Sequence, residues 1–317
     1  MNSNKKWLLI GLGLILVGFV GMAWQKFDFG DTLPTHQQRW TFEQGQLKNL
    51  SIDSSYSVDV QFIDSPDGTS YVEISGNMDQ EIIDHLNDTD LSGDSLQLTL
   101  QHSPKGSFLS LNFQSTRQQI TVALAGSDSL QNISYSAHAA NGQFRNLRAD
   151  TITLSTSSGN LKAEAITAQR LHLTSEAGNI TTKQITGDME IKVRSGRIQV
   201  DTLQGALTAE TMQGNISARD MAGMIRASTG AGNIDLDNFT GDGVLKTTSG
   251  NITLNNQRAD NLDISAQFGG IRLSTDAAFK GWYDLQTGAG EITAPESLRQ
   301  TEDIIKVRSL AGNIRIK

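Results

Sequence analysis

Gly178-Asn179-Ile180-Thr181-Thr182-Lys183-Gln184-Ile185-Thr186-Gly187-Asp188-Met189-Glu190-Ile191-Lys192-Val193-Arg194-Ser195-Gly196-Arg197-Ile198 is the stretch that decides the fold. Its three glycines lie nine residues apart. The same register continues through Gly205, Gly214, Gly223, Gly232 and Gly241 to Gly250. Every second glycine opens a Gly-Asn-Ile echo: Gly159-Asn160-Leu161, Gly178-Asn179-Ile180, Gly196-Arg197-Ile198, Gly214-Asn215-Ile216, Gly232-Asn233-Ile234 and Gly250-Asn251-Ile252. The echo loosens at Gly269-Gly270-Ile271, Gly290-Glu291-Ile292 and Gly312-Asn313-Ile314. A fixed period of this kind marks a repeat architecture. The unit is about eighteen residues, made of two nine-residue halves.

Each half reads as a glycine turn followed by a short alternating strand. Ile180 and Thr182, then Met189, Ile191 and Val193, then Ile198 and Val200 fall at every second place and share one face. Glycine at the corner permits a positive φ. Strands this short are not stable as isolated hairpins, but stacked coils bury a continuous apolar column. The expected fold is all-β, a parallel β-solenoid with coils of about eighteen residues. At roughly 4.8 Å per coil, nine or ten coils from about Gly142 onward make a rod about 45 Å long.

Stacking predicts ladders. Asn160, Asn179, Arg197, Asn215, Asn233 and Asn251 follow the first glycine of each unit, where stacked amides can bond from coil to coil. Five places after the same glycines stand Glu164, Lys183, Asp201, Arg219, Asp237 and Asn255. Alternating sign is what neighbouring strands require, so this row reads as structural rather than catalytic.

The segment Trp7 to Trp24 is apolar and uncharged. As a helix it spans about 27 Å, near the hydrocarbon thickness of a bilayer. A tryptophan stands at each end, Lys5 and Lys6 precede it, and Asp28 and Asp31 follow. The positive-inside rule gives a single-pass anchor in the cell membrane, N-terminus inside and C-terminal domain outside. The alternative is a cleaved signal peptide, because Gly21-Met22-Ala23 resembles a cleavage site. The run is long for a signal core, which favours the anchor. The expected organisation is a cytoplasmic N-terminus (1–6), an anchor (7–24), a spacer (25–45), a β-rich entry region (46–140) and the solenoid (141–317).

In the entry region Leu50–Ile52, Val58–Phe62, Tyr71–Ile74, Leu96–Leu100 and Ile120–Leu124 read as strands, and Asp79–Leu86 as a short helix. Its expected task is to cover the first open edge of the solenoid. At the other end Gly312-Asn313-Ile314-Arg315-Ile316-Lys317 reads as the last coil. There Arg315 and Lys317 would discourage stacking of another chain.

A net charge of −8 argues against a nucleic-acid partner. The absence of cysteine excludes disulfides, thiolate metal sites and cysteine nucleophiles. Calcium-binding β-rolls also use nine-residue units, but with an aspartate in every turn. Here the equivalent position is Thr202, Asp220, Asn238 and Asn256, too few carboxylates for six to eight oxygen ligands per ion. No metal and no cofactor is expected. The five histidines, His36, His85, His102, His138 and His172, lack ligand spacing.

An N-terminal apolar segment, a β-rich entry and Ser-Gly-Asn-Ile coils together resemble a known family. The likeness rests on Ser158-Gly159-Asn160-Leu161, Ser195-Gly196-Arg197-Ile198 and Ser249-Gly250-Asn251-Ile252, with Val58-Asp59-Val60 in the entry region. The pattern is similar to the bacterial putative-adhesin β-strand-repeat family, a domain of unknown function that includes LiaG-like membrane proteins of cell-envelope stress systems. The resemblance implies a solenoid with a structural or adhesin-like role. It lends no catalytic residue.

The rival class is a secreted carbohydrate-active β-helix enzyme, a polysaccharide lyase or hydrolase. It would need carboxylates, basic residues and aromatic platforms on one face, and the repeats are nearly free of aromatics before Phe268. The expectation is therefore no catalysis. The one candidate binding cluster is Phe268, Phe279, Trp282 and Tyr283, where the coil spacing lengthens to about twenty-one residues. It reads either as a terminal cap or as a surface for a cell-wall polymer or a membrane-protein partner. The remaining expected partner is membrane lipid, through the N-terminal helix.

Overall fold

The computed structural model describes residues 33–101, 116–126, 128–257, 261–275 and 279–317. The Trp7–Trp24 segment lies outside them. Among the described residues no helix is long and apolar enough to cross a membrane.

The repeats form a parallel β-solenoid of about nine coils, each of about 19 residues. The regular centre comprises β11 (Ile180–Ser195), β12 (Ile198–Gln204), β13 (Leu207–Gln213), β14 (Ile216–Ala222), β15 (Ile225–Ala231), β16 (Ile234–Thr240), β17 (Gly243–Ser249) and β18 (Ile252–Gln257). Strands β12, β14, β16 and β18 stack in one parallel sheet; β13, β15 and β17 stack in the other. The register is in step, Ile180 beside Ile198 beside Ile216 beside Ile234, and all four are buried. Each fully buried aliphatic side chain contributes about 1.5–3 kcal/mol.

Three corners make each coil. Two are the predicted glycines. At Gly214 the backbone has φ +148°, and an added Cβ would lie 1.9 Å from the carbonyl oxygen of Gly196 in the coil below. Glycine is thus demanded by conformation and by close backbone stacking together. The third corner is left-handed without glycine: Ala165, Gln184, Thr202, Asp220, Asn238 and Asn256 have φ between 52° and 60°. This is the column that a calcium-binding roll would fill with ligands; here it turns the chain.

The asparagine ladder exists in a form different from the stacked amides expected. Each side chain accepts a bond from the backbone N–H of the next coil. Asn160 Oδ1 accepts from Asn179 N at 2.9 Å, Asn215 Oδ1 from Asn233 N at 2.9 Å and Asn233 Oδ1 from Asn251 N at 2.8 Å. An amide-to-amide rung of the expected kind occurs at the start of the column, where Asn160 Nδ2 donates to Asn141 Oδ1 at 3.2 Å. The charge column is in register as expected, Glu164–Lys183–Asp201–Arg219–Asp237–Asn255, with Lys183 Nζ 3.8 Å from Glu164. Inside the coil Thr211, Thr229 and Thr247 donate to the carbonyl oxygens of Gly196, Gly214 and Gly232 at 3.4, 2.9 and 3.1 Å. That row satisfies buried carbonyls which no strand partner reaches.

The entry region is more regular than its sequence. Strands β2 (Asn49–Ser54) and β3 (Ser57–Asp64), β5 (Ser95–Leu100) and β6 (Arg117–Leu124), and β7 (Leu130–Ala137) and β8 (Gly142–Arg145) are themselves stacked coils. The β2–β3 coil lies between the other two, since β2 pairs with both β5 and β7 and β3 with both β6 and β8. From β7–β8 the stack passes through β9 (Arg148–Ser158) and β10 (Leu161–Ala177) into the regular coils. Outside β6 lie the antiparallel β4 (Ser70–Asn77) and then β1 (Thr35–Phe42). Strand β1 falls in the stretch expected as spacer. Its alternation puts Trp40 and Phe42 into the core, and that burial draws it onto the sheet. The helix α1 (Gln80–Asn87) buries Ile82, Ile83 and Leu86.

The far end corrects the sequence reading. Strands β19 (Leu262–Phe268) and β20 (Ile271–Thr275) continue the stack. The next rung is not β21 (Trp282–Ala289) with β22 (Ile292–Thr293). It is β23 (Ile304–Ala311) with β24 (Ile314–Ile316), which pair with β19 and β20 on one side and with β21 and β22 on the other. The final coil in sequence is therefore internal, and Arg315 and Lys317 cannot guard the edge. The longer spacing here reflects a chain that passes over one rung and returns, not a wider coil.

Candidate functional site

The outermost rung, β21–β22, carries two of the four candidate aromatics, Trp282 and Tyr283, and Phe279 lies just before it. Gly281 immediately precedes it; a Cβ there would meet the Asp303 carbonyl oxygen at 2.2 Å, so the chain crosses its neighbour with no side chain between. Alternation then separates the two ring residues that follow. Tyr283 turns inward and meets Phe279 in a tilted ring contact, 5.3 Å between centroids, and both pack against the core. Its hydroxyl lies 3.4 Å from Thr275 Oγ1. Trp282 points the other way and is half-buried. Around it a shallow pocket is lined by Arg299, Thr301 and Glu302.

Phe268 does not join them. It stands at the glycine corner ending β19, in the column Ser249–Phe268–Ala311, and is 54% exposed. Leu262, at the start of the same strand, shares Ile305 as a neighbour with Tyr283. Phe268 is thus about 20 Å of strand away from the other rings.

The return segment 294–303 pins the rung from outside. Tyr283 N donates to Ser297 Oγ at 3.0 Å, Arg299 N to the Gly281 carbonyl at 3.1 Å and Gln300 N to the Lys280 carbonyl at 2.8 Å. Arg308 on the rung below reaches up to Asp284, with NH2 2.5 Å from Oδ2 and NH1 2.7 Å from the carbonyl oxygen. The guanidinium holds the Asp284 carboxyl below its usual pKa. Beyond these ties apolar side chains remain open: Ile292 is 45% and Leu298 56% exposed. Sequence reasoning missed Ser297, Asp284 and Arg308, because their contacts depend on the exchanged order of the last two rungs.

The two aspartates closest to a catalytic reading sit in ladders. Asp237 has Arg219 and Asn255 as neighbours and accepts from Asn256 Nδ2 at 3.2 Å. Asp235 lies between Ser217 and Thr253. Among the described residues no group of three or more His, Asp or Glu side chains converges as a metal site.

The fold defines the class of protein, a parallel β-solenoid of short glycine-cornered coils. The chain belongs to the toastrack family DUF4097, whose profile it matches over residues 47–224 and 221–314. No curated protein matches it. Among solved structures it is similar to a putative adhesin from Bacteroides fragilis, at 13% identity and TM-score 0.37, over 91% of this chain and 100% of that one. It is also similar to a putative adhesin from Parabacteroides distasonis, at 12% identity and TM-score 0.39, over 89% and 97% of the two chains. A putative cell adhesion protein from Clostridium sporogenes matches at 12% identity and TM-score 0.24, over 90% and 99%. Likenesses this remote carry no argument about what the chain binds.

Proposed function

We propose that this protein is a membrane-anchored, extracytoplasmic rod that binds a cell-wall polymer or a membrane-protein partner through its distal end, without catalysis. The observation that carries the reading is the difference between the rod's ends. Strand β1 enters at the end covered by α1 and β4, so an anchor preceding it would hold that closed end nearest the bilayer. The distal rung then faces away, presenting Trp282 beside the pocket of Arg299, Thr301 and Glu302, with Ile292 exposed at the other end of the rung. Tryptophan is a preferred anchor in interfaces, and one such side chain can carry 2 kcal/mol or more. Lys5 and Lys6 before the Trp7–Trp24 run support an N-inside orientation. Phe268, exposed at a separate corner, is a second and weaker candidate contact.

Trp282→Ala tests the site without touching the inward Tyr283–Phe279 pair. Binding to isolated cell-wall or membrane fractions should weaken about thirtyfold while the Tm stays within about 2 °C of wild type. Unchanged binding rejects the distal site. Protease added to wall-stripped intact cells should digest the rod; a protected C-terminal domain rejects the topology.

A further inference from the structure

The exchanged rungs create a pair that chain order would keep apart. On the outer face of one sheet the column runs Asp235, Thr253, Arg272, Arg315, Thr293. Arg272 and Arg315 are thus adjacent strand neighbours. Stacked in sequence order, Thr293 would separate them. Lys317 lies on the same face two residues beyond Arg315, and Arg272, Arg315 and Lys317 together line one shallow pocket. All three are exposed, and none has an ion pair among the described residues. Like charges directly opposite on neighbouring strands are destabilising. Elsewhere along the rod the register avoids this, as in Lys183–Asp201–Arg219–Asp237. The arginine pair stands out on a chain whose net charge is −8.

We infer that Arg272, Arg315 and Lys317 form an anion site for a phosphate or phosphodiester group. Parallel strands hold the two guanidinium stems about 4.8 Å apart. Each guanidinium is a planar fork that engages two oxygens. A carboxylate holds its two oxygens in one plane, which suits a single fork; the non-bridging oxygens of a phosphate or phosphodiester diverge from a tetrahedral phosphorus and can face two forks on adjacent strands. Neutral donors flank the pair: Thr253, Asn255 and Ser274 on one side, and Asn251, Thr293 and Asn313 on the other. Among the described residues Glu291 is the one acidic side chain lining these pockets, against three basic ones. The site is independent of where the chain resides and of the Trp282 surface.

The test uses the full-length protein in detergent, with inorganic phosphate as probe and ionic strength held constant with chloride. Phosphate should raise the Tm with half-saturation in the millimolar range, of the order expected for an exposed two-arginine site. Arg272→Gln and Arg315→Gln should each raise the Tm in phosphate-free buffer by relieving repulsion, and each should weaken the phosphate response tenfold or more. Arg226→Gln, on the other sheet, should leave the response intact. A wild-type response no larger than that to chloride overturns the site, and so does equal loss in Arg226→Gln. A soluble glycerol-phosphate polymer and vesicles with and without phosphatidylglycerol then separate the sources. Arginine-dependent binding to the polymer assigns a wall-type phosphodiester, and arginine-dependent binding to the anionic vesicles assigns a headgroup.

Discussion

The two ends of the rod solve the same problem with different completeness. At each end the coil that is terminal in sequence is tucked one rung inside: β2–β3 behind β5–β6 at the entry, and β23–β24 behind β21–β22 at the far end. At the entry the outer rung is then covered. Helix α1 is tied to β1 by Gln38 Nε2 to the Leu86 carbonyl at 2.8 Å, and Trp40 Nε1 bonds the Thr89 carbonyl at 2.7 Å. At the far end the return segment pins only the start of β21, and Ile292 stays open. Tucking in the chain end secures the last coil, because it gains partners on both faces. Covering the edge is a separate task, carried further at the entry, where α1 buries Ile82, Ile83 and Leu86 and β4 and β1 extend the sheet beyond β6. An uncovered edge is where another chain or ligand can dock.

The comparison can be broken first in the middle, where neither end matters. Ile216→Asp places an uncompensated charge in the buried column and should cost several kcal/mol, leaving little folded protein by circular dichroism. Ile292→Asp, at the exposed distal rung, should cost under about 0.5 kcal/mol. Equal losses would mean the far end is as closed as the centre.

Truncating matched leucines sharpens the contrast. Leu86→Ala in α1 removes a fully buried side chain and should cost about 2–4 kcal/mol in denaturant melts. Leu285→Ala on β21 removes a half-buried one and should cost about 1 kcal/mol.

The distal clip should also respond to acid. Asp284 is held below its ordinary value of 3.8 by Arg308. Its contribution is complete above that value and fades as pH falls through the depressed one. Protection factors at β21, which divide out the intrinsic pH dependence of amide exchange, should therefore fall in that acid window, and Asp284→Asn should show the lower protection already at neutral pH. Exchange at β21 that ignores both changes removes the clip. The smallest effect is at the third corner. Thr202 holds φ +60°, which is unfavourable for a β-branched residue. Thr202→Asn should raise stability by about 0.5–1 kcal/mol, read as a higher Tm.

Much of this was legible. Gly178 to Gly250 gave away the coil, because close backbone stacking tolerates only glycine at that corner. The alternation around Ile198 and Val200 revealed which side faces inward, and the charge column followed from the period alone. The left-handed corner escaped notice because Ala165, Gln184 and Thr202 carry no signature of it; only Asn238, Asn256 and Asp220 hint at the conformation. The entry coils escaped for the opposite reason: their corners, such as Ser55-Tyr56, lack the glycine that sets a period. For the candidate site, sequence located Trp282 and Tyr283 but not their division of labour, which alternation on β21 decides. Rung order is invisible to any pattern, since a spacing of twenty-one residues fits a wide coil and a skipped rung equally well.

That order is the central claim, and the absence of cysteine makes it directly measurable. Arg272→Cys with Arg315→Cys puts two thiols on adjacent rungs, within the Cα separation of about 4.4–6.8 Å that a disulfide needs. Arg272→Cys with Thr293→Cys puts them two rungs apart, at about 9.6 Å. Mild oxidation of the folded protein should link the first pair and leave the second as free thiols. Linkage of 272 to 293, with 272 and 315 unlinked, would mean the coils stack in chain order and would contradict the account.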